Sequence, residues 1–401
     1  MVKGSVAILA YACGPLKGSE FRLGWNLPIE LSRLGWRCVV YIGSSDGEMG
    51  QFSDFLNHST KFNNLQHRIV YPSRIQLLIN DLNTKLRLSW FFYLSLYLWN
   101  RQAYKLMLSE SENIHFTHHL GPIGFRIPGQ FWKLDGKPHV WGPIGGAQAV
   151  PLNLIPNSDI SFFVKSVLKN IFNKSCLYLP AVRNAVSNTN QFVFSTLENR
   201  IIFKKYFNVD GEVISDQAMD TFEELNKNAS RQFIFVGSIV PRKNIKMLCE
   251  IFSTNGYDLT VVGDGNLLNR LKKKYCNFQN IKFVGWLSRV ETQQQMIRSF
   301  CALIPSFVEA NTAVMYEALQ SGCIILANDR DGFKTELPTD TCVETGDNYQ
   351  SLKKNWSDAI NSIYTKSQGE LQNIWYSQAQ NKKWSDLAQK FDKIYNQMLN
   401  V

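Results

Sequence analysis

Between Arg231 and Asn328 the chain alternates short apolar runs with longer segments of helical spacing. The run "RQFIFVGSIV" (Arg231–Val240) is followed by "NIKMLCEIF" (Asn244–Phe252), and "YDLTVVGDG" by "NLLNRLKKKY". "NIKFVGWLS" is followed by "VETQQQMIRSF", and "CALIPS" by a helical run and then "GCIILAN". The apolar runs carry β-branched residues and end in glycine or proline, so they read as buried strands. Strict strand–helix alternation over about a hundred residues predicts a parallel sheet with helices on both faces. The amino-terminal half opens the same way. Val6–Tyr11 is apolar, Trp25–Leu34 has helical spacing and Val39–Ile42 is a second strand. Further strands are expected at His67–Tyr71, Ile114–His118, His139–Trp141 and Gln191–Ser195. A chain of 401 residues exceeds what one core usually organises.

The expected division is a first Rossmann-like domain over 1–208 and a second over 209–380, with the boundary in the polar stretch Asn208–Arg231. Residues 381–401 form a terminal helix, because Trp384, Leu387, Phe391, Ile394, Tyr395 and Met398 fall at helical spacing.

Charge and cysteine usage narrow the class. The net charge of +10 favours anionic partners such as nucleotides, phosphates, nucleic acid or an anionic membrane. Nucleic acid is disfavoured, because the basic residues accompany aliphatic helices rather than stacking platforms. The eight cysteines are scattered, without metal-ligand spacing or a dense disulfide framework, which fits a reducing compartment. "MVKGSVAILAYACGP" holds too short an apolar run for a membrane span, so a cytoplasmic protein is expected. No Asp-x-Asp cluster suited to Mg²⁺ occurs, and neither a metal nor a cofactor is expected.

Parallel sheets bind ligands at the carboxyl ends of their strands. Four such ends in the second half carry suggestive residues. "FVGSIVPRKN" brings Arg242 and Lys243, and in "VVGDGN" Gly263 and Gly265 let backbone approach a ligand. "FVGWLS" is the third. The fourth is "PSFVEANTAVMYEALQSG", where Glu309 precedes a helix that starts near Thr312 and carries Glu317. Amides at Ala310, Asn311 and Thr312 and the helix dipole suit a phosphate. Glu317, further along that helix, suits the vicinal hydroxyls of a ribose, and Glu309 suits hydroxyls beyond the phosphates. Alone, each feature has a plain reading: a solvated Glu, a turn at a helix start, a Gly-Asp-Gly turn. Their order along one sheet edge points to a nucleotide-sugar.

These residues, "VGSIVPRKN…VVGDGN…FVGW…EANTAVMYEALQSG", resemble the nucleotide-binding half of family 4 glycosyltransferases. "AYACGPLKGSEFRLGWN", the His-His pair and "WGPIGGAQAVP" are similar to a bacterial subgroup linked to polysaccharide and lipid-linked glycan assembly. The resemblance implies an α/β GT-B fold, two doubly wound parallel-sheet domains facing a cleft, with the terminal helix crossing back to the first. It implies a retaining hexosyl transfer without metal, from a nucleotide-diphosphate sugar to a glycan or polyprenyl-linked acceptor of surface polysaccharide (O-antigen or exopolysaccharide). Residue by residue, it implies that Lys243 neutralises the leaving diphosphate, with Arg242 nearby. Glu317 would hold the ribose, Glu309 the donor sugar, and the amides of Ala310–Thr312 the phosphate. Gly18 and Ser19 would approach the donor phosphates, and His118 or His119 would face the reacting sugar, His119 standing nearer the strand end. The sequence departs from the family at Ser238, where an arginine usually follows Val-Gly, and at "GCI" after the second Glu, where a proline is usual. Rival readings are a GT-B epimerase, a phosphorylase, or a non-catalytic sugar-nucleotide-binding partner of a glycan assembly complex, which Ser238 favours.

Two basic, apolar stretches invite contact with the cytoplasmic face of an inner membrane. Residues 61–107 carry seven Lys/Arg against one Asp, and "LSWFFYLSLYLW" lies within them. Ser161–Arg183 has four cations and no acid, with Phe162, Phe163, Val167, Leu168 and Phe172 near helical spacing. The expected contact covers 74–107 and 161–183; the competing reading is core helices with solvated lysines.

Overall fold

The computed structural model describes residues 2–15, 20–43, 63–86, 89–220 and 230–400. In chain order the elements begin with β1 (Gly4–Ala10), α1 (Glu20–Arg33), β2 (Trp36–Gly43), β3 (Leu65–Val70), α2 (Arg74–Leu86), α3 (Ser89–Ser109) and β4 (Phe116–Gly121). β5 (His139–Ile144), α4 (Ile160–Cys176), α5 (Pro180–Ser187), β6 (Gln191–Phe194), α6 (Leu197–Phe207) and β7 (Gly211–Val213) follow. The second half runs β8 (Ser230–Val236), α7 (Ile245–Asn255), β9 (Leu259–Val262), α8 (Leu268–Lys274), β10 (Ile281–Gly285), α9 (Arg289–Arg298) and β11 (Ser299–Ile304). It ends with α10 (Ala313–Gln320), β12 (Ile324–Asn328), α11 (Asp331–Glu336), β13 (Cys342–Val343), α12 (Tyr349–Thr365), α13 (Gln368–Ala379) and α14 (Trp384–Met398).

Two compact units result. The first holds residues 1–147, 173–217 and 384–401, the second 148–172 and 218–383. The first unit's sheet has the order β3-β2-β1-β4-β5-β6-β7 and the second's β10-β9-β8-β11-β12-β13. All pairings are parallel. Each unit is therefore doubly wound, with its chain reversing direction across the sheet beside β1 or β8. The central strands are buried throughout: every residue of Gly4–Ala10 and of Ser299–Ile304 is inaccessible to solvent or nearly so. Strands covered on both faces read as continuous apolar runs, which is why they are visible in the sequence.

Two boundaries differ from the expected division, and the terminal helix returns to the first unit as the resemblance implies. Residues 148–172 belong to the second unit, because Val150, Leu154 and Ile155 enter its core and Phe162 stacks on Phe307 at 5.9 Å. The first unit continues past Asn208, adding Gly211–Val213 as an edge strand against β6. Its terminal helix is not a separate piece. α14 buries Trp384, Leu387, Phe391, Ile394, Tyr395 and Met398 within the first unit. Its Asp392 accepts hydrogen bonds from Trp36 Nε1 at 2.6 Å and Lys3 Nζ at 2.8 Å.

Among the described residues no helix is long and apolar enough to cross a membrane. α2 and α3 nevertheless leave large apolar side chains in solvent, including Ile75, Leu78, Leu82, Phe92 and Tyr97.

Candidate active site

The second unit gathers its chemistry at the carboxyl ends of β8, β9 and β11. After β8 the chain turns at Gly237, whose φ is +148°, and makes a single 3₁₀ turn over Pro241–Lys243. Val240 stays extended and Asn244 is left-handed, so the turn is held apart from helix α7 and aims its two cations across the sheet edge. The Phe307 N–H donates to the Arg242 carbonyl at 3.0 Å, tying this turn to the segment after β11.

That segment delivers Glu309. Its carboxylate takes both Lys243 Nζ and Arg242 Nη1 on the same oxygen, and Arg242 also donates to the Val308 carbonyl at 3.0 Å. Lys243 is buried, and Arg242 is about one-third exposed on its side chain. Burial works to raise the Glu309 pKa, but the charges of Lys243 and then Arg242 outweigh it and hold the carboxyl below its ordinary range. Two cations and one carboxylate leave a net positive charge at the mouth of helix α10.

The backbone here is braced from behind. The Glu309 N–H donates to Asp331 Oδ2 at 2.9 Å, and the Gly332 N–H donates to the Ala310 carbonyl at 3.0 Å. Thr312 caps α10 in extended conformation without a side-chain hydrogen bond, its hydroxyl leaving the cap to the backbone. Glu317, in the second turn, pairs with Arg289 Nε at 3.6 Å. Both line a pocket of about 320 Å³ with Asp220, Thr292, Gln293 and Gln320. The sequence marked Glu317 but missed Arg289, which lies at the first position of α9 behind the "FVGWLS" strand end. The apolar neighbours Val314, Ala318 and Leu319 suggest a buried carboxylate in need of a partner, the one signal the sequence offers; in the fold Glu317 is half-buried.

Gly263 and Gly265 make a close approach between two loops of the unit. A Cβ on Gly263, at φ +133°, would sit 2.0 Å from the Gly237 carbonyl oxygen. One on Gly265 would sit 2.4 Å from that of Ile239. The glycines let the β8 and β9 loops pack on each other, through Gly237 N–H to Val262 O at 3.0 Å and Ile239 N–H to Asp264 O at 2.8 Å. They shape the site from beneath. Ser238, beside them, is exposed.

The first unit places His118 and His119 inside β4, both buried. His118 is fully engaged: Nε2 bonds the Gly142 carbonyl at 2.7 Å and Nδ1 the Tyr395 hydroxyl at 2.6 Å. The carbonyl can only accept, so the proton sits on Nε2. Burial brings the His118 pKa down to about 4, the Gly142 carbonyl only partly offsetting it. That arrangement clamps β4 to β5 and to the terminal helix, a structural role unlike the sugar-facing one the resemblance implies for it. His119 Nδ1 accepts from the Gly129 N–H at 2.9 Å, and its ring stacks on Trp141. Burial and the neighbouring His118 hold it at about pKa 3, so it is a neutral imidazole carrying its proton on Nε2. Gly18 and Ser19 lie outside the described residues. The next residue, Glu20, escaped the sequence reading. Its Oε1 accepts from the Ile123 N–H at 3.3 Å; burial pushes its pKa up to about 7, the Ile123 N–H opposes and Asp216 assists. A lone Glu in the first turn of a helix gives no signal in sequence.

Among the described residues no group of three or more His, Cys, Asp or Glu stands together as a metal would need.

Residues 216–382 match the family of glycosyl transferases group 1. The matched span is under half of the chain, and it contains Arg242, Lys243, Glu309 and Glu317. No curated protein sequence matches the chain. Solved structures match in fold over nearly all of it. The lipopolysaccharide outer core galactosyltransferase WaaB is 12% identical with a TM-score of 0.63, over 98% of this chain and 99% of that one. Sucrose-phosphate synthase from Thermosynechococcus elongatus is 12% identical with a TM-score of 0.62, over 99% and 100%. Anabaena HepE, solved in complex with UDP, is 12% identical with a TM-score of 0.57, over 98% and 100%. At such identities these are likenesses of fold, and the fold is GT-B: two Rossmann-like parallel-sheet domains.

Proposed function

We propose that this chain is a retaining, metal-independent family 4 glycosyltransferase that moves a hexosyl group from a nucleotide-diphosphate sugar to a glycan or polyprenyl-linked acceptor in bacterial surface polysaccharide synthesis. The observation that carries the reading is the convergence of Lys243 and Arg242 on Glu309 at the start of helix α10, with Glu317 in its second turn. Breaking a sugar–phosphate bond develops negative charge on the departing diphosphate. Preorganised cations and helix amides aimed there lower the barrier, each such donor contributing about 3 kcal/mol.

In this reading Lys243 exchanges part of its pairing with Glu309 for the diphosphate, which lies against the amides of Ala310–Thr312. Arg242 supplies the charge that an arginine at position 238 would give. Glu317 leaves Arg289 for the ribose hydroxyls, and Glu309 contacts the donor sugar. His119, a neutral donor through Nε2–H, serves the reacting sugar. The family match over 216–382 and the UDP and UDP-glucose complexes of the similarly folded HepE support a nucleotide-sugar donor.

A thermal-shift screen of nucleotide-sugars tests the donor. A ligand at 100 times its Kd adds about 2.7 kcal/mol of apparent stability, so the true donor raises Tm and Glu317→Ala, binding it about tenfold or more weakly, cuts the rise to about half or less. No shift with any nucleotide-sugar would overturn the proposal. The exposed Ser238 favours one second reading, a binding partner without turnover. Donor hydrolysis by the wild type, lost in Glu317→Ala, separates the two.

A further inference from the structure

Helix α4 (Ile160–Cys176) is built inside out for a surface helix. Ile160, Val164, Leu168 and Ile171 recur at steps of four, four and three, which sets them on one face, with Phe163 at its margin. These five side chains are 42–70% exposed. The opposite face is held largely by polar contacts. Asn170 clamps Val150 through its carbonyl and N–H at 2.9 Å each. Phe162 anchors it by a ring, against Phe307. A helix that needed only to fold onto its unit would turn its aliphatics inward.

Charge decides what covers the outer face. Lys165 and Lys174 stand exposed at the margins of this stripe, and no Asp or Glu occurs from Ile160 to Leu197. The nearest acid before it, Asp159, faces Lys246 Nζ at 3.5 Å. Protein interfaces favour aromatics and arginine at their centres, whereas this stripe is aliphatic and bordered by lysine. Such a face lies in the boundary between headgroups and acyl chains, its aliphatics sunk about 5–10 Å and its lysines at anionic headgroups. We infer that the outer face of α4 docks on an anionic lipid bilayer, holding the second unit at the membrane surface. The inference stands or falls independently of sugar transfer.

The test is vesicle flotation of the full chain with phosphatidylcholine vesicles, with and without about 30% phosphatidylglycerol. The wild type is expected to float with the anionic vesicles, and far less in high salt or without phosphatidylglycerol. Leu168→Glu/Ile171→Glu weakens flotation by about tenfold or more, and Lys165→Glu by a smaller factor, with melting temperatures unchanged. As a check free of that double variant, Leu168→Cys in a Cys276→Ser background carries bimane, whose emission shifts blue on adding anionic vesicles. Unchanged flotation of the double variant overturns the inference, as does a bimane signal that lipid does not move. A lipid-free dimer that the double variant dissolves overturns it too, since the face then covers a second copy.

Discussion

Replacing Lys243 by Met isolates the electrostatic centre of the site. The substitution keeps the unbranched stem and deletes a buried ammonium bonded to Glu309. Stranding one partner of a buried pair costs about 3–5 kcal/mol. Here Arg242 stays on the same carboxylate oxygen, from a more exposed position, so a loss of about 2 kcal/mol is expected. The effect on turnover is separate. If Lys243 faces the departing diphosphate, removing it costs about 3 kcal/mol of barrier, on the order of a hundredfold in kcat. The pH profile joins the two. Glu309 has a folded pKa below its ordinary value, so its pairing contributes stability above the unfolded carboxyl range, and that stability is lost as pH falls through the folded pKa. Lys243→Met removes the stronger of the two cationic influences on Glu309, so burial raises its pKa and the acid loss becomes smaller and is complete at higher pH. Thermal melts from pH 3 to 7, alongside kcat with the donor found by thermal shift, read both. A variant with kcat within twofold of wild type would refute the diphosphate role. An unchanged pH dependence of Tm would refute the ion-pair account.

Arg289→Ala removes a partly exposed ion pair and should change stability by less than about 1 kcal/mol, measured by urea melts, while Glu317→Ala raises the donor KM at least tenfold. Gly263→Ala places a Cβ against the Gly237 carbonyl at φ +133°, so the second unit is expected to lose about 3 kcal/mol or more and to appear in the insoluble fraction. His118 is held neutral, with a folded pKa of about 4 below the unfolded imidazole value. The unfolded chain therefore binds more protons between pH 6.5 and 4, and stability falls on acidification through that window, by roughly 3 kcal/mol from this residue. His118→Gln should flatten that part of the Tm–pH curve. Tyr395→Phe, which deletes the hydroxyl on Nδ1, should cost about 1–2 kcal/mol in urea melts.

Much of the second unit was legible because its strands are buried on both faces and its helices are amphipathic, so each carries its own period. Position 312 as the start of α10 was readable from the short polar residues before an apolar run. Gly211–Val213 was not, being a three-residue edge strand with no apolar run to announce it. The placement of 148–172 was hidden for another reason: Leu154 and Ile155 look like core residues, and local spacing does not say of which core. In the site, cations and carboxylates at strand ends were visible as a series. Their pairing was not, because Lys243, Arg242 and Glu309 lie more than sixty positions apart and meet only when β8 and β11 are neighbours. Gly263 reads in sequence as a place where backbone comes close, but the Gly237 carbonyl beside it belongs to another strand's loop and is not legible there.

The join between β4 and the last helix has a consequence for synthesis. Trp36, Phe116 and His118 receive the Tyr395 ring as a neighbour, so a core begun by the first strands is finished by residues synthesised only after the whole second unit. The nascent amino-terminal sheet waits through translation with an uncovered seam, while residues 218–383 already have every strand they need.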